Sequence, residues 1–209
     1  MKKLAVFDFD GTITKKDSFN ELIIFQAGKI KFWVGMLKNM PTIISYLRKK
    51  TTNAKMKECL FNYFFRNLTK TEYQQLAYDF ANQRLPELIR PNMQKIIKKH
   101  QKEHTRLVIL SASFEDWLIP WATANGFQDV ICTEYSFRSN QKGITIFENK
   151  SCYGKNKVKM LKEKFPNWSE YKTYAYGDSK SDYPFMKEAT EAFIVGKEVT
   201  QWSPPKKPQ

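Results

Sequence analysis

The sequence predicts an α/β fold: a parallel β-sheet with an all-helical insertion directly after its first strand. Two observations support this prediction. Short apolar runs rich in β-forming residues alternate with helix-like segments, which is typical of βαβ units. Residues 10–105, in contrast, contain no convincing strand. The five runs lie at residues 4–9, 106–113, 129–135, 171–178 and 191–196.

The insertion is predicted to be helical because its apolar residues recur at helical spacing. One pattern begins at Phe19 and another at Met56, while Pro86 and Pro91 bracket the predicted return to the sheet. The predicted domains are an α/β core at residues 1–14 and 89–200, a helical insertion at 15–88 and a flexible tail at 201–209. Within this scheme, residues 136–149 are predicted to form a small β-hairpin, and residues 199–209 a frayed end.

The composition is that of a globular protein with a strong positive charge. Of the 209 residues, 42% are apolar and 15% aromatic, which argues against disorder. The formal charge of +14 is spread over most of the chain and indicates an anionic substrate or surface. The three cysteines are far apart, so neither a disulfide framework nor a paired-cysteine metal site is expected.

The apolar segments predict a cytoplasmic location. Asp8 interrupts the N-terminal apolar run before a signal-peptide core can form. The most apolar later stretch, residues 32–47, contains Lys38 and Pro41 and falls short of the roughly 20 apolar residues that a spanning helix needs. Neither an export signal nor a transmembrane helix is therefore expected.

Two aspartates at the end of the first apolar run indicate a functional site. Burial of a carboxylate is unfavourable unless a cation or hydrogen-bond donors meet it. Asp8 and Asp10 place two carboxylates here, so the pair requires such a partner. Alternate strand residues face the same side, so both side chains are predicted at the carboxyl end of the strand, with Gly11 permitting a sharp turn. Open α/β sheets bind their ligands at this end.

Other predicted strands end in polar residues as well. The second run closes on Ser111 and Ser113, and the fourth closes on Asp178, with Asp182 shortly after it. Four carboxylates in one crevice favour a hard cation with oxygen ligands, most simply Mg²⁺. An ionised aspartate can attack an electrophile without a base to activate it, and Lys155 or Lys157 can supply a cation. This combination suits a phosphoryl group.

The order of four motifs resembles the haloacid dehalogenase superfamily of phosphatases. The motifs are DFDGT at residues 8–12, SAS at 111–113, a lysine within GKNK at 154–157 and GDSKSD at 177–182. The helical insertion resembles the cap of the phosphoserine-phosphatase-like branch. The resemblance implies a Rossmann-like parallel sheet with helices on both faces, and a Mg²⁺-dependent phosphatase that forms an aspartyl-phosphate.

The resemblance also implies a role for each matching residue. Asp8 would be the nucleophile, and Asp10 would protonate the leaving oxygen and later deprotonate the attacking water. Ser111 would hydrogen-bond the phosphoryl oxygens. Lys157, rather than Lys155, would offset the charge on Asp8 and on the phosphate.

The same resemblance implies a metal site and contacts to the substrate. Mg²⁺ would be held by the Asp8 carboxylate, the Asp10 backbone carbonyl and Asp178, with Asp182 close by through water. Thr12, Asp17 and Ala112 are expected at the substrate. Asp17 is shorter than the substrate-binding glutamate of the branch, and SAS replaces its usual Ser-Gly-Gly.

Several of these residues also have structural interpretations. Asp17 and Asp182 could belong to capping boxes at helix starts, and Ser113 could cap the helix that begins near Phe114. His100 and His104 have the spacing of a metal pair, but they are interpreted as part of a cationic, solvent-facing helix.

The basic insertion leaves the substrate and partners open. It is either an amphipathic segment with solvated lysines or a cap that docks on anionic lipid or accepts an apolar phosphate ester. Its apolar residues and the fourth motif resemble bacterial phosphatidylglycerophosphate phosphatases. The leading hypothesis is a phosphomonoesterase acting on a small phosphorylated metabolite or on a lipid phosphate of this kind. The alternative, motivated by the charge, is a non-catalytic module that binds nucleic acid or anionic membrane.

Overall fold

The fold is built around one β-sheet whose strands come from distant parts of the chain. The computed structural model describes residues 2–138 and 143–204. Its strands are β1 Lys3–Phe7, β2 Arg106–Ser111, β3 Asp129–Cys132, β4 Tyr135–Phe137, β5 Ile144–Ile146, β6 Lys172–Gly177, β7 Glu191–Val195 and β8 Val199–Gln201. The main sheet has the order β3-β2-β1-β6-β7-β8, with β8 antiparallel and the other strands parallel. All five predicted strand regions are strands of this sheet.

Helices lie on both faces of the sheet, which confirms the predicted fold class. The described helices are α1 Ser18–Ala27, α2 Lys29–Lys38, α3 Met40–Leu47, α4 Asn53–Phe64, α5 Lys70–Gln83, α6 Leu85–Leu88, α7 Pro91–Lys102, α8 Glu115–Ala124, α9 Lys155–Lys164 and α10 Tyr183–Met186. The elements between β1 and β2 are helices, as the sequence predicts. None of the helices in the described ranges is long and apolar enough to cross a membrane.

The first strand is buried on both faces, which explains its continuous apolar run. Leu4 and Val6 belong to the cluster that includes residues of α9 and α10, whereas Ala5 and Phe7 belong to the cluster on the opposite face. All four side chains are fully buried. Because successive strand residues point to opposite faces, only a strand enclosed by two helical layers needs apolar residues at every position.

The two segments that connect the helical insertion to the sheet run side by side. Thr14 and Ile89 form an antiparallel bridge. The Lys15 amide donates a hydrogen bond to the Leu88 carbonyl at 2.8 Å, and the Arg90 amide donates to the Ile13 carbonyl at 2.9 Å. Such paired crossings suit a cap, and the division into separate core and cap domains stays a prediction.

Aromatic residues join the helical insertion to the rest of the molecule. Phe61 on α4 packs against Phe114, with ring centroids 6.1 Å apart, and Phe114 packs against Trp117 at 5.6 Å. Phe19 on α1 contacts Phe114 at 5.8 Å. Edge-to-face aromatic packing of this kind favours defined ring positions. The insertion therefore packs against the rest of the molecule in one specific orientation.

The predicted hairpin is present and is docked on α4. Strands β4 and β5 pair antiparallel, while residues 139–142 of the predicted hairpin lie outside the described residues. The Asn62 side chain donates to the Ile144 carbonyl at 3.0 Å and accepts from the Ile144 amide at 2.7 Å. Glu58 accepts from the Ile146 amide at 2.9 Å. A helix of the insertion thus satisfies backbone groups at one edge of the hairpin.

The prediction of a frayed end is wrong for its first residues. Residues Val199–Gln201 pair antiparallel with β7, and the Trp202 amide donates to the Ala192 carbonyl at 2.8 Å. The Trp202 ring packs against Tyr183 at 5.0 Å. A short edge strand of this kind depends on its neighbour rather than on local propensity, so its sequence carries little signal. Residues 205–209 of the predicted tail lie outside the described residues.

The interpretation of His100 as a solvent-facing residue is also wrong. Its side chain is buried under the sheet, with Nε2 at 2.8 Å from the Tyr176 hydroxyl. Burial lowers the pKa of the His100 imidazole from its ordinary value of 6.5 to about 4, and Lys99 and Lys3 act in the same direction. The neutral imidazole therefore serves as a core residue, whereas His104 is exposed as expected.

We expect His100 to make the stability of the protein sensitive to mild acid. Between pH 6.5 and pH 4 the unfolded chain takes up a proton that the folded protein refuses, so the unfolding free energy falls by up to about 3 kcal/mol as pH decreases. Chemical denaturation at several pH values measures this loss. His100→Gln should reduce the pH dependence and His104→Asn should not; an equal effect of both substitutions would contradict the assignment.

Candidate active site

The end of β1 and the turn after it position the first two acidic residues. The Asp8 amide donates to the Tyr176 carbonyl at 2.9 Å, which continues the pairing of β1 with β6. A tight turn, Phe9–Ile13, follows, with non-helical backbone at Asp10 and at Gly11, whose φ is 83°. A Cβ at Gly11 would lie 2.4 Å from Asp178 Oδ2. Glycine therefore allows both the left-handed backbone and the close approach of Asp178.

A buried lysine joins two of the predicted site carboxylates. Lys157, in the first turn of α9, is only 1% exposed. Its Nζ donates to Asp8 Oδ1 at 2.5 Å and to Asp182 Oδ1 at 2.7 Å. Burial alone lowers the pKa of this lysine, but Asp8 and Asp182 outweigh burial and raise it, so the ammonium stays charged. Lys155 is exposed, as expected because the sequence favours Lys157 as the site lysine.

Three carboxylates form a cluster around this lysine. Ligand oxygens of Asp8, Asp178 and Asp182 lie within 4.8 Å of one another. The Thr12 hydroxyl lies between two of them, 3.1 Å from Asp8 Oδ2 and 3.2 Å from Asp178 Oδ1. Three ionised carboxylates and one ammonium leave a formal charge of −2, which a divalent cation would balance. The donor set of carboxylate oxygens fits Mg²⁺.

The pKa values of the cluster show the cost of burying it. Burial raises the pKa of Asp8 well above its ordinary range; Lys157 opposes this and Asp182 adds to it. Burial and Asp182 likewise raise the pKa of Asp178. A divalent cation between these carboxylates would favour their ionised forms and lower both pKa values.

Asp182 is the most constrained of the three carboxylates. Its Oδ1 accepts from Lys157, while its Oδ2 accepts from the Ser179 amide at 3.1 Å and the Ser179 hydroxyl at 3.0 Å. The predicted capping box is wrong, because α10 begins after Asp182 without a side-chain cap. The bonds between Ser179 and Asp182 nevertheless exist and coexist with the ion pair. Since both oxygens already have donors, a role of Asp182 beside the metal through water, as the sequence resemblance implies, suits this geometry better than direct ligation.

Asp10 is positioned by the turn rather than by strand alternation, because β1 ends at Phe7. Its Oδ1 accepts from the Ser18 amide at 2.7 Å, and its Oδ2 accepts from the Ser113 hydroxyl. Ser113 does not cap a helix, since α8 begins after Phe114 without a side-chain cap. The structure thus assigns Ser113 to orienting Asp10, a contact that the sequence interpretation missed.

The second predicted motif lies at the end of β2. Ser111 is fully buried, and its hydroxyl accepts from the Ser113 amide at 3.1 Å. The Ala112 carbonyl accepts from the Lys57 ammonium and from the Thr133 hydroxyl, both at 3.1 Å. These bonds hold the loop after β2 at the same edge as Asp8.

Lys57 is a site residue that sequence reasoning missed. It lies on α4 of the insertion, is 5% exposed, and reaches across to Ala112. In the sequence it is one of many lysines spread over the basic insertion. The signal that could have found it is helical spacing, because Lys57 lies three residues after Ala54 and four before Phe61, on the buried face of α4.

Asp17, predicted at the substrate, is the N-cap of α1. Its Oδ1 accepts from the Asn20 amide at 2.8 Å. Burial and Asp10 raise the pKa of this carboxyl, and Lys57 lowers it. The cap satisfies one orphan amide of the helix, so Asp17 has a structural role whether or not it also contacts a substrate.

Arg90 fixes the turn from the outside. Its Nε donates to the Gly11 and Thr14 carbonyls, both at 3.1 Å, and its Nη1 donates to the Gly196 carbonyl at 3.0 Å. One guanidinium thus connects the acidic turn, the crossing to the insertion and the end of β7. The rigid fork of donors makes arginine suited to this position.

The arrangement is an acid-rich candidate active site at the carboxyl edge of a parallel sheet. Residues 5–187 match the sequence model of the haloacid dehalogenase-like hydrolases. The chain therefore belongs to this family. The predicted superfamily is therefore confirmed.

Three similar proteins put this assignment in context. Protein CicA from Caulobacter vibrioides (strain NA1000 / CB15N) is 29% identical over 188 residues, which cover 90% of this chain and 83% of CicA. A protein with unknown function from Bordetella pertussis Tohama I has a TM-score of 0.76 at 18% identity, covering 92% of this chain and 89% of that chain. A phosphoserine phosphohydrolase-like protein from Francisella tularensis subsp. tularensis SCHU S4 has a TM-score of 0.66 at 16% identity, with coverages of 91% and 85%. The fold agrees with the predicted phosphoserine-phosphatase-like branch.

We expect Mg²⁺ to stabilise the folded protein through the carboxylate cluster. A ligand at about 100 times its dissociation constant adds about 2.7 kcal/mol to the unfolding free energy, so the melting temperature should rise with Mg²⁺. Differential scanning fluorimetry measures the shift. Asp178→Asn should remove most of it, whereas Glu163→Gln, an exposed carboxylate on α9, should keep it. A full shift in the Asp178 variant would exclude this metal site.

Proposed function

We propose that the protein is a Mg²⁺-dependent phosphatase that hydrolyses a phosphate monoester through an aspartyl-phosphate on Asp8. The observation that carries this proposal is the Lys157 ammonium, which lies within hydrogen-bond distance of both Asp8 and Asp182 beside a third carboxylate. A purely structural ion pair would not need the additional acid at Asp178. Membership of a hydrolase family supports the reaction class.

In the first half of the reaction, a carboxylate oxygen of Asp8 attacks phosphorus. The new Asp8 oxygen–phosphorus bond forms as the bond from phosphorus to the leaving oxygen breaks, and Asp10 gives its proton to that oxygen. The Ser113 hydroxyl and the Ser18 amide hold Asp10 in one orientation for this transfer. Lys157 and Ser111 stabilise the negative charge on the phosphoryl group.

In the second half, water attacks the aspartyl-phosphate. Asp10, now ionised, takes a proton from the water, and the bond between phosphorus and Asp8 breaks to release inorganic phosphate. Asp8, the Asp10 carbonyl and Asp178 would hold Mg²⁺, with Asp182 beside it. When bound, the ion would neutralise negative charge between the carboxylates and the phosphate.

The substrate is proposed to be a phosphate monoester whose leaving group lies beneath the helical insertion. Lys57 supports this arrangement, because it brings a cation from α4 to the loop that directly follows Ser111. Asp17, close enough to Lys57 and Asp10 to interact electrostatically, would face the same space. A small phosphorylated metabolite or a lipid phosphate of the phosphatidylglycerophosphate kind would satisfy these groups. Thr12 and Ala112 would line the phosphate end.

We expect Asp8→Asn to abolish hydrolysis of a generic aryl phosphate. Removal of a nucleophile typically lowers turnover by about 10⁴-fold or more. Phosphate release is the assay, with circular dichroism to verify folding and Glu163→Gln as a charge-matched control. Activity that survives in the Asp8 variant and resists EDTA would refute the proposal.

We expect Lys57→Met to raise KM by at least about tenfold, because the loss of a charge-assisted contact to an anion costs roughly 1.5–3 kcal/mol. The matched control is Lys55→Met, which removes an exposed lysine from the same helix. Steady-state kinetics with the aryl phosphate and with a substrate panel separates KM from kcat. Equal KM values for the two variants would remove Lys57 from the substrate site.

The non-catalytic alternative makes a different prediction. A basic module would bind RNA, DNA or anionic vesicles at physiological salt and release no phosphate from any substrate. The buried groups at Asp8, Asp182 and Lys157 favour the enzyme, since a binding surface gains nothing from costly internal carboxylates.

A further inference from the structure

Helix α2 exposes a complete apolar stripe. Ile30, Trp33, Val34 and Leu37 recur at the i, i+3, i+4, i+7 spacing of one helical face. Ile30 is 83% exposed, Trp33 68% and Leu37 69%. In a globular protein, a stripe with this spacing normally faces the core, and contiguous exposed apolar surface indicates an interaction site.

The opposite face of α2 is already packed, so the exposed stripe is not a misplaced core face. Phe32 and Gly35 are buried. The Phe32 ring stacks on Phe64 of α4 at 6.3 Å, and a Cβ at Gly35 would lie 2.2 Å from the Phe64 ring. The glycine therefore lets α2 approach α4 closely, and this contact fixes which residues point outward. Helix α2 is apolar on two faces and buries one of them.

The next helix continues the pattern. Asn39 alone separates α2 from α3, where Met40, Ile44 and Leu47 form a second exposed row and Leu47 is 71% exposed. We call the exposed apolar residues of α2 and α3 the docking face. Its members are Ile30, Trp33, Val34, Leu37, Met40, Ile44 and Leu47.

The charges around the docking face have one sign. Residues 22–57 contain eight lysines and arginines and no aspartate or glutamate. Six of the eight lie at the ends of α2 and directly after α3, and all six are exposed: Lys29, Lys31, Lys38, Arg48, Lys49 and Lys50. The absence of any acidic residue distinguishes this segment from an ordinary solvated helical face.

We propose that the docking face binds the surface of an anionic lipid bilayer. An amphipathic helix with tryptophan and aliphatic residues on one side and lysines at its margins lies in the interface, with its apolar side chains below the headgroups and its cations beside lipid phosphates. A nucleic acid would meet the lysines but leave Ile30 and Leu37 without apolar contacts. A bilayer surface satisfies both the cations and the apolar rows.

The docking face adjoins the segment that leads into α9. The Tyr46 hydroxyl, on α3, lies 3.1 Å from the Tyr153 hydroxyl, and Tyr153 precedes α9, which carries Lys157. A groove of about 510 Å³ lies between α3 and the segment before α9, and Tyr46, Leu47 and Tyr153 line it. Bilayer binding would therefore bring the lipid surface to one side of the catalytic edge. The docking itself does not depend on the proposed hydrolysis.

Flotation of the full-length protein with vesicles tests the proposal. Vesicles of phosphatidylcholine with about one-third phosphatidylglycerol should retain the protein, and pure phosphatidylcholine should retain at least about tenfold less. The doubly substituted variant Trp33→Glu, Leu37→Glu should lose at least about tenfold in binding, because both side chains are exposed on the docking face and would place charges below the headgroups. Its matched control is Tyr78→Glu, Ile119→Glu, which alters exposed apolar residues on α5 and α8 and should bind normally.

The charge contribution has its own matched pair. Lys31→Glu, Lys38→Glu should weaken binding, whereas Lys98→Glu, Lys102→Glu changes the net charge equally on α7 and should have a much smaller effect. Activity on a soluble aryl phosphate, measured for every variant, should stay at the wild-type value, so a failure of docking is distinguishable from a failure of hydrolysis.

Three outcomes would overturn the proposal: no binding to the anionic vesicles, equal binding by the two members of either pair, or a dimer in sedimentation that the Trp33, Leu37 variant dissociates without any vesicle binding. The last outcome would identify the docking face as a contact between two copies of the chain.

Discussion

The buried ion pairs of Lys157 are the constraint on which the site depends. Carboxylates removed from water are costly unless a counter-charge of good geometry meets them, and one ammonium here serves both Asp8 and Asp182. This requirement brings α9 against the ends of β1 and β6. Ser179 donates to the other oxygen of Asp182, so both oxygens of this carboxylate are fixed by hydrogen bonds. The surplus negative charge makes the cluster suited to a divalent cation.

The helical insertion and the sheet meet at this site through two unlike contacts. Aromatic rings from both parts pack together around Phe114 and supply apolar burial. Lys57 supplies a polar contact, because its ammonium donates to the Ala112 carbonyl at the carboxyl edge of the sheet. The paired crossings at Thr14 and Ile89 connect the same two parts through the backbone. One segment of the chain thus covers the site, contributes a cation to it and, on its outer side, exposes apolar helical faces.

Much of the site was predictable because its residues lie in short, continuous motifs. Asp8, Asp178 and Lys157 each follow or begin an element that local apolar patterning reveals, and the carboxyl ends of parallel strands meet at one edge. Lys57 and His100 were misjudged for a common physical reason: each is a polar residue whose burial depends on what packs against its helix. The edge strand β8 was missed because its formation depends on pairing with β7.

By itself, the sequence determined the α/β class, the five parallel strands and the helical character of the insertion, since these follow from periodicity and local spacing. It also predicted that Asp8, Lys157 and Asp178 belong to one site. The tertiary structure decided how those residues are used. Only packing shows that Ser113 orients Asp10, that Lys57 reaches the loop after β2 and that the outer stripe of α2 stays exposed. The physical reason is that burial and side-chain pairing are set by the neighbours of an element, which are distant in the chain.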